Sequence, residues 1–212
     1  MRRAHRTRVK VCGLTSAADA AAAARAGADA VGVVLADSPR RVTLDEARDV
    51  LEAVPPFVAR VGVFVDPTLA EVAVAVEALG LTAVQLHGGE SPDFCRRVEV
   101  PVVKAFRVGD GFRPADAEPY RGCAAAILLD TYVPWAAGGS GRAFAWDDDL
   151  LPEGIPVIVA GGLTPANVAE CIRTLRPYAV DVSSGVEERI RVKDPALVEA
   201  FLAAVRATDE EE

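Results

Sequence analysis

The sequence is poor in lysine. Its only lysines are Lys10, Lys104 and Lys193, and all other strongly basic residues are arginine. Alanine, in contrast, is very abundant. We interpret both features as compositional bias without functional weight.

Several classes of protein are excluded by what the chain lacks. No apolar stretch reaches the roughly 20 residues that a membrane-spanning helix requires. The start, residues 1–9, is basic but has no apolar centre of the kind found in secretory signals. The net charge of -8 leaves no general excess of basic residues for the phosphates of a nucleic acid. We therefore expect neither a membrane nor a nucleic acid as partner.

The cysteines and histidines show no metal-binding pattern. Cys12, Cys95, Cys123 and Cys171 form no CxxC pair, and no HExxH or Walker sequence occurs. No metal and no cofactor are predicted. A chain of 212 residues does not need disulfides for stability, so reduced thiols in the cytoplasm are expected.

One pattern repeats along the chain: a short apolar run ends in Gly, Asp or Ser, and an amphipathic segment follows. Runs that alternate only in part indicate strands buried on both faces, as in parallel sheets. The eight runs are 8–13, 30–36, 59–65, 83–88, 101–108, 124–130, 156–162 and 179–185.

The segments between the runs are predicted to be helices. Four of them carry starting signals: Ser16, Thr43 paired with Glu46, Thr164 before Pro165, and Asp194 before Pro195. The predicted helices cover 16–27, 43–54, 164–175 and 194–207. Residues 109–123 contain too much Gly and Pro for a long helix, so the fifth crossover should be short or irregular.

Eight such units are compatible with a closed barrel or with a doubly wound open sheet. An open dinucleotide-binding sheet should show GxGxxG after its first strand, and this chain has a single glycine there. The sequence therefore favours an α/β fold, a single-domain eight-stranded parallel (β/α)8 TIM barrel over residues 1–212. Residues 1–7 are an N-terminal extension and residues 208–212 an acidic tail, of which the end DEEE (209–212) is expected to be solvated.

In such a barrel the functional site lies at the carboxyl ends of the strands. The ends of the last two strands carry small residues, which suit the phosphate cradle that these barrels form after strands seven and eight. The predicted phosphate-binding residues are Gly161, Gly162, Ser183, Ser184 and Gly185. The alternative is that both segments are simply tight turns.

Cys12 and Asp130 are the candidate catalytic residues. A nearby positive charge would lower the pKa of the Cys12 thiol into a working range, so that it acts as nucleophile or general base. An apolar setting would raise the pKa of Asp130, as a general acid requires. The alternatives are a structural cysteine and a loop-pinning aspartate. Cys95, Cys123 and Cys171 are expected to be structural.

Further candidates surround the same mouth. Arg40 could hold a carboxylate through two hydrogen bonds, and His87 could orient a substrate. Either side chain could instead be an ordinary rim residue. The glycine-rich segment 132–144 is expected to be a mobile cover over the site, or simply a flexible loop.

In order along the chain, the segments KVCGLT, SPRR, RVGVFV, VQLHG, LLDT, GGSG, AGGLTPANV and AVDVSSGVE resemble the phosphoribosylanthranilate isomerase family of tryptophan biosynthesis. The resemblance covers about residues 8–205. It implies an intramolecular oxidoreductase (an aldose–ketose isomerase) that acts on a phosphosugar as a monomer or homodimer. The reaction is the Amadori rearrangement of N-(5-phosphoribosyl)anthranilate to 1-(2-carboxyphenylamino)-1-deoxyribulose 5-phosphate.

The resemblance also implies roles for individual residues. Asp130 would protonate the furanose ring oxygen and open the sugar to a Schiff base, and Cys12 would then remove the C2 proton. Arg40 would bind the anthranilate carboxylate, with His87 and Asp181 as further substrate-binding residues. The turns at 161–162 and 183–185 would hold the phosphate.

Three other functions fit parts of the pattern. They are another phosphosugar isomerase of the histidine or tryptophan pathway, including one with both activities; a catalytically silent barrel that binds phosphosugars; and a cysteine-based acyl transferase. The last requires a histidine near Cys12, and His87 is the only candidate, since His5 precedes the first strand.

Overall fold

Eight parallel strands close into a barrel in the computed structural model, which describes residues 6–108, 111–130 and 150–211. Each strand pairs with the next, and the first pairs with the eighth, so the (β/α)8 TIM barrel is confirmed and the open sheet is wrong. The strands are β1 (Arg8–Val11), β2 (Ala30–Val34), β3 (Ala59–Phe64), β4 (Ala83–Leu86), β5 (Val102–Arg107), β6 (Ala126–Asp130), β7 (Val157–Ala160) and β8 (Ala179–Val182).

The helices cover the outside of the barrel. They are α1 (Ala17–Ala26), α2 (Leu44–Glu52), α3 (Leu69–Leu79), α4 (Pro92–Arg96), α5 (Val168–Leu175) and α6 (Pro195–Glu211). A 3-10 helix, Pro114–Tyr120, serves as the fifth crossover, which confirms that this connection is short and irregular. A second 3-10 helix (Ser184–Val186) and the short antiparallel pair β9 (Glu187–Arg189) and β10 (Val192–Lys193) follow β8. None of the helices in these described ranges has the length and apolar character needed to cross a membrane.

Three of the four predicted helix starts have the expected capping bonds. The Ser16 side chain accepts the backbone N–H of Asp19. Thr43 and Glu46 form a reciprocal capping box at the start of α2. Asp194 accepts the N–H of Ala196 immediately before α6.

The predicted start at Thr164 is wrong. The α-helix begins at Val168, and residues 165–167 form a turn before it. The Asn167 side chain accepts the backbone N–H of Thr164 at 2.7 Å and donates to the carbonyl of Gly162 at 3.0 Å. These two bonds stabilise the turn after β7 in place of a further helical turn.

Residues near the two ends of the described chain contact each other. The backbone N–H and hydroxyl of Thr7 donate to the Asp209 carboxylate at 2.9 and 2.8 Å. Thr208 is buried and belongs to α6, which continues to Glu211. The acidic tail therefore begins inside α6, and its residues Glu210 and Glu211 are exposed.

A buried ion pair fixes the carboxyl ends of β3 and β4. The Lys104 ammonium donates to the Glu90 carboxylate at 3.0 Å and to the Gly88 carbonyl at 2.6 Å, and both side chains of the ion pair are 2% exposed. The same carboxylate accepts the backbone N–H groups of Asp66 and Gly88. Lys104 therefore helps to hold the loop that begins at His87.

We predict that Lys104→Met lowers the free energy of unfolding by about 3–5 kcal/mol, because it leaves the Glu90 carboxylate buried without its cation. Urea unfolding followed by circular dichroism measures this change. The double variant Lys104→Met/Glu90→Gln should recover part of the loss. A loss below about 1 kcal/mol in the single variant would show that the pair does not stabilise the fold.

Candidate active site

The alternation of side chains along the strands determines what faces the interior of the barrel. Residues two apart on a strand point to the same side. Lys10 on β1 and Cys12, the residue directly after β1, thus share a direction, as do Leu128 and Asp130 on β6. Adjacent strands place Lys10 beside Asp181 in register.

At the carboxyl ends of the strands lies a cavity of about 510 Å³, a size typical of small-molecule sites. It is lined by side chains from all eight strand ends. The predicted residues that line it are Cys12, Arg40, His87, Asp130, Gly161, Gly162, Asp181, Ser183 and Ser184. Gly185, also predicted to bind phosphate, is not among the residues that line the cavity.

Cys12 lies on the inner wall and is 8% exposed. Burial raises the pKa of its thiol, and the neighbouring Lys10 ammonium opposes this rise without cancelling it. Our expectation that nearby positive charge lowers the pKa of this thiol into a working range is therefore wrong, since burial outweighs that charge. A thiolate here becomes more populated as the pH increases.

The other cysteines do not line this cavity. Burial raises the pKa of Cys95 to about 11 and that of Cys171 to about 12. Cys123 precedes β6 and its thiol contacts the Tyr120 carbonyl. All four cysteines are free thiols.

Asp130 and His87 face each other across the cavity floor. The Asp130 carboxylate lies 3.5 Å from Nε2 of His87, and its side chain is 24% exposed. The expectation that an apolar setting surrounds this carboxyl is therefore wrong, since His87 lies beside it and Arg107, on the neighbouring strand, lines the same cavity. Burial lowers the pKa of His87, although Asp130 opposes the effect, so the imidazole is neutral at pH 7.

Arg40 takes part in a buried charge network rather than in a solvated loop. Its guanidinium donates twice to the Glu187 carboxylate, at 2.7 and 2.6 Å. Lys193 also donates to Glu187, at 2.9 Å, and to the backbone carbonyl of Ser183, at 3.0 Å. The Glu187 carboxylate thus connects two parts of the predicted site. Arg40 is predicted to bind the carboxylate of a ligand, and the turn at 183–185 is predicted to bind its phosphate.

The turns after β7 and β8 approach each other closely. Gly161 and Gly162 have φ values of 88° and 66°, in the left-handed region that glycine tolerates best. A Cβ on Gly185 would overlap the backbone carbonyl of Leu163. Only glycine at position 185 therefore lets the two turns touch.

Three buried polar atoms at the cavity have no hydrogen-bond partner within the described part of the chain: Nε2 of His87 and two oxygen acceptors, Oε1 of Gln85 and Oδ1 of Asp181. Gln85 is 3% exposed and Asp181 is 7% exposed, so leaving these acceptors unpaired is costly. A ligand that donates hydrogen bonds would satisfy both.

Sequence reasoning did not identify Lys10, Lys193 or Glu187 as site residues. Lys10 forms a buried ion pair with Asp181, and Lys193 forms one with Glu187. We had interpreted the scarcity of lysine as compositional bias, and this interpretation is wrong. Each of the three lysines is buried and paired with a carboxylate. In a chain that uses arginine elsewhere, the rare lysines were the available signal.

No cluster of three or more His, Cys, Asp or Glu within 6–108, 111–130 and 150–211 is arranged to hold a metal ion. The segment 132–144, predicted as a mobile cover, lies outside these described ranges. So does His5.

Comparisons with known proteins point to a single family. The model of a family described as N-(5'phosphoribosyl)anthranilate (PRA) isomerase matches residues 9–204. The chain is 48% identical over 206 residues to N-(5'-phosphoribosyl)anthranilate isomerase of Pseudomonas fluorescens Pf-5, and the match covers 96% of this chain and 97% of that protein.

Solved structures of similar proteins have the same fold. Phosphoribosyl anthranilate isomerase from Thermus thermophilus is 43% identical, with a TM-score of 0.83 and coverage of 95% of this chain and 99% of that one. A second such isomerase was solved in complex with reduced 1-(o-carboxyphenylamino)-1-deoxyribulose 5-phosphate. It is 35% identical, with a TM-score of 0.80 and the same two coverages.

We predict that Gly185→Ala weakens the binding of inorganic phosphate by at least about tenfold, because the added methyl group pushes the two turns apart. Isothermal titration calorimetry measures the affinity. Gly89→Ala is the matched control, since a Cβ there meets nothing closer than 3.6 Å. Unchanged phosphate affinity in Gly185→Ala would contradict the predicted cradle.

Proposed function

The chain belongs to the N-(5'-phosphoribosyl)anthranilate isomerase family, and we propose that it isomerises its substrate with Cys12 as general base and Asp130 as general acid. The reaction converts an aldose amine to a ketose amine, an intramolecular oxidoreduction. One observation carries the assignment: both side chains line the same cavity as the two turns after β7 and β8.

The first step is ring opening. In its protonated form, Asp130 donates a proton to the furanose ring oxygen, the C1–O bond breaks, and the nitrogen lone pair forms a protonated Schiff base with C1. The position of Asp130 at the end of β6, partly exposed to the cavity, supports this role. The neutral His87 imidazole beside it can donate or accept a hydrogen bond without adding a competing charge.

The second step is proton removal from C2. The Schiff base cation makes this hydrogen acidic, and the Cys12 thiolate accepts it, leaving an enolamine. The enolamine then gains a proton at C1 and loses one from the C2 hydroxyl, which yields the ketose. Protons are conserved overall when solvent returns one to Asp130 and takes one from Cys12.

The anionic ends of the substrate require separate binding groups. We assign the phosphate to Gly161, Gly162, Ser183 and Ser184, with Gly185 allowing the two turns to meet. Arg40, oriented by Glu187, is assigned to the anthranilate carboxylate. Asp181 and Gln85 offer buried acceptors to the sugar hydroxyls.

The small-molecule partner in this proposal is a phosphosugar, supported by the product analogue bound to the solved relative. For the assembly, we propose a monomer or a homodimer, which sedimentation equilibrium distinguishes. The cytoplasm is the proposed compartment, and the four free thiols support it.

Cys12→Ser and Asp130→Asn should each lower kcat by about 10²–10⁴-fold while preserving the fold, because each removes one proton-transfer group. The assay generates phosphoribosylanthranilate in place and follows anthranilate fluorescence after the purified protein is added. Cys123→Ser, which changes a thiol away from the cavity, should keep kcat unchanged. Near-normal turnover in Cys12→Ser or Asp130→Asn would refute the assigned roles.

A further inference from the structure

We propose that Lys10 is a positioning residue for Cys12: its ammonium, anchored by Asp181, holds the thiolate in place for proton removal. The inference deepens the proposed function and rests on the role of Cys12 as the base. Lys10 itself does not line the cavity, so it acts through the sulfur rather than on the substrate.

The geometry of β1 brings the two groups together. Lys10 precedes Cys12 by two residues, so both side chains point into the barrel. Both lie against Gly32 on β2: the sulfur is 2.9 Å and the lysine Nζ 3.3 Å from the position that a Cβ on Gly32 would occupy. Glycine at position 32 therefore leaves space that both the ammonium and the sulfur occupy.

The Lys10 ammonium is anchored by a residue on β8, the strand that pairs with β1 on the side away from β2. Asp181 on β8 is paired in register with Lys10, and its Oδ2 accepts from Nζ at 2.9 Å. Both side chains are less than 10% exposed. A buried charge without a partner is strongly unfavourable, so the carboxylate keeps the ammonium charged and in place.

The second oxygen of Asp181 has a different environment. Oδ1 is buried and has no partner among the described residues, and Asp181 lines the cavity. One carboxylate thus holds the lysine with Oδ2 and offers Oδ1 to the ligand. The ammonium beneath the thiol is thereby fixed relative to the substrate as well as to the barrel.

The charges around Cys12 act in opposite directions. Lys10 on β1 and Lys193 on β10 favour the thiolate, whereas Asp181 on β8 disfavours it. Lys193 is paired with Glu187, and its charge favours the thiolate less than the charge of Lys10 does. Lys10 should therefore have the largest effect of the cations on the thiol.

The pair also determines where the proton resides. Burial opposes the charge on Lys10, but the Asp181 carboxylate and the Cys12 sulfur outweigh it and hold the pKa of Lys10 above its ordinary value. In the proposed role, the ammonium keeps its proton while the thiol loses its own. The proton from C2 is taken up by sulfur, and Lys10 supplies charge without taking part in the transfer.

The test is the titration of the Cys12 thiolate, measured by ultraviolet absorbance in the intact protein. Each protein is titrated alongside a version that also carries Cys12→Ser. The difference between the two curves is the titration of Cys12 without the other three thiols. Lys10→Met should move the midpoint to higher pH by about one unit or more, since it removes the nearby cation. Asp181→Asn should move it to lower pH, since it removes the nearby anion.

Two further variants distinguish a charge effect on the Cys12 midpoint from an effect of a disturbed fold. Lys104→Met removes another buried lysine from its carboxylate and should leave the Cys12 midpoint unchanged. Lys10→Met/Asp181→Asn leaves no unpaired buried charge, so it remains informative if the single variant does not fold. Its midpoint should be higher than that of Asp181→Asn alone.

The pH profile of kcat/KM provides the readout on turnover. Because the base must be deprotonated, its acidic limb should move to higher pH in Lys10→Met along with the thiol midpoint. An unmoved midpoint in the variants lacking Lys10 would overturn the inference and leave the role of Cys12 intact. Full turnover in Cys12→Ser would instead overturn the proposed function itself.

Discussion

The structure depends on one buried ion pair, between Lys10 on β1 and Asp181 on β8, in the wall of a barrel whose interior is otherwise largely apolar. Charges placed there are tolerated only when each has a partner in good geometry. The pair joins the first and last strands at the level just below Cys12. The same contact thus joins the two strands that close the barrel and holds the ammonium that we propose as the positioning group for the thiol.

A second network repeats this principle at the rim. Glu187 accepts hydrogen bonds from both Arg40 and Lys193, and Lys193 binds the backbone of Ser183. The group assigned to the substrate carboxylate and the turn assigned to its phosphate are thus linked through one side chain. A ligand with two anionic ends meets a site whose two ends are already held at a fixed separation.

Local patterns predicted most of the fold. Apolar runs located all eight strands, and capping residues such as Ser16 and Asp194 located helix starts, because these signals act within a few residues. The helix start predicted at Thr164 was wrong because the Asn167 side chain stabilises a turn there instead. The proposed role of Lys10 and the raised pKa of Cys12 escaped prediction, since both depend on burial and on Asp181, which lies 171 residues along the chain from Lys10.

The central claim is that a thiol and a carboxyl group reach different atoms of one bound sugar. A crystal structure of this protein with the reduced product analogue tests it most directly. We predict that the Cys12 sulfur lies within about 4 Å of C2 and that the Asp130 carboxyl contacts the hydroxyl derived from the ring oxygen. An analogue bound with C2 facing away from Cys12, or beyond the reach of Asp130, would contradict the account.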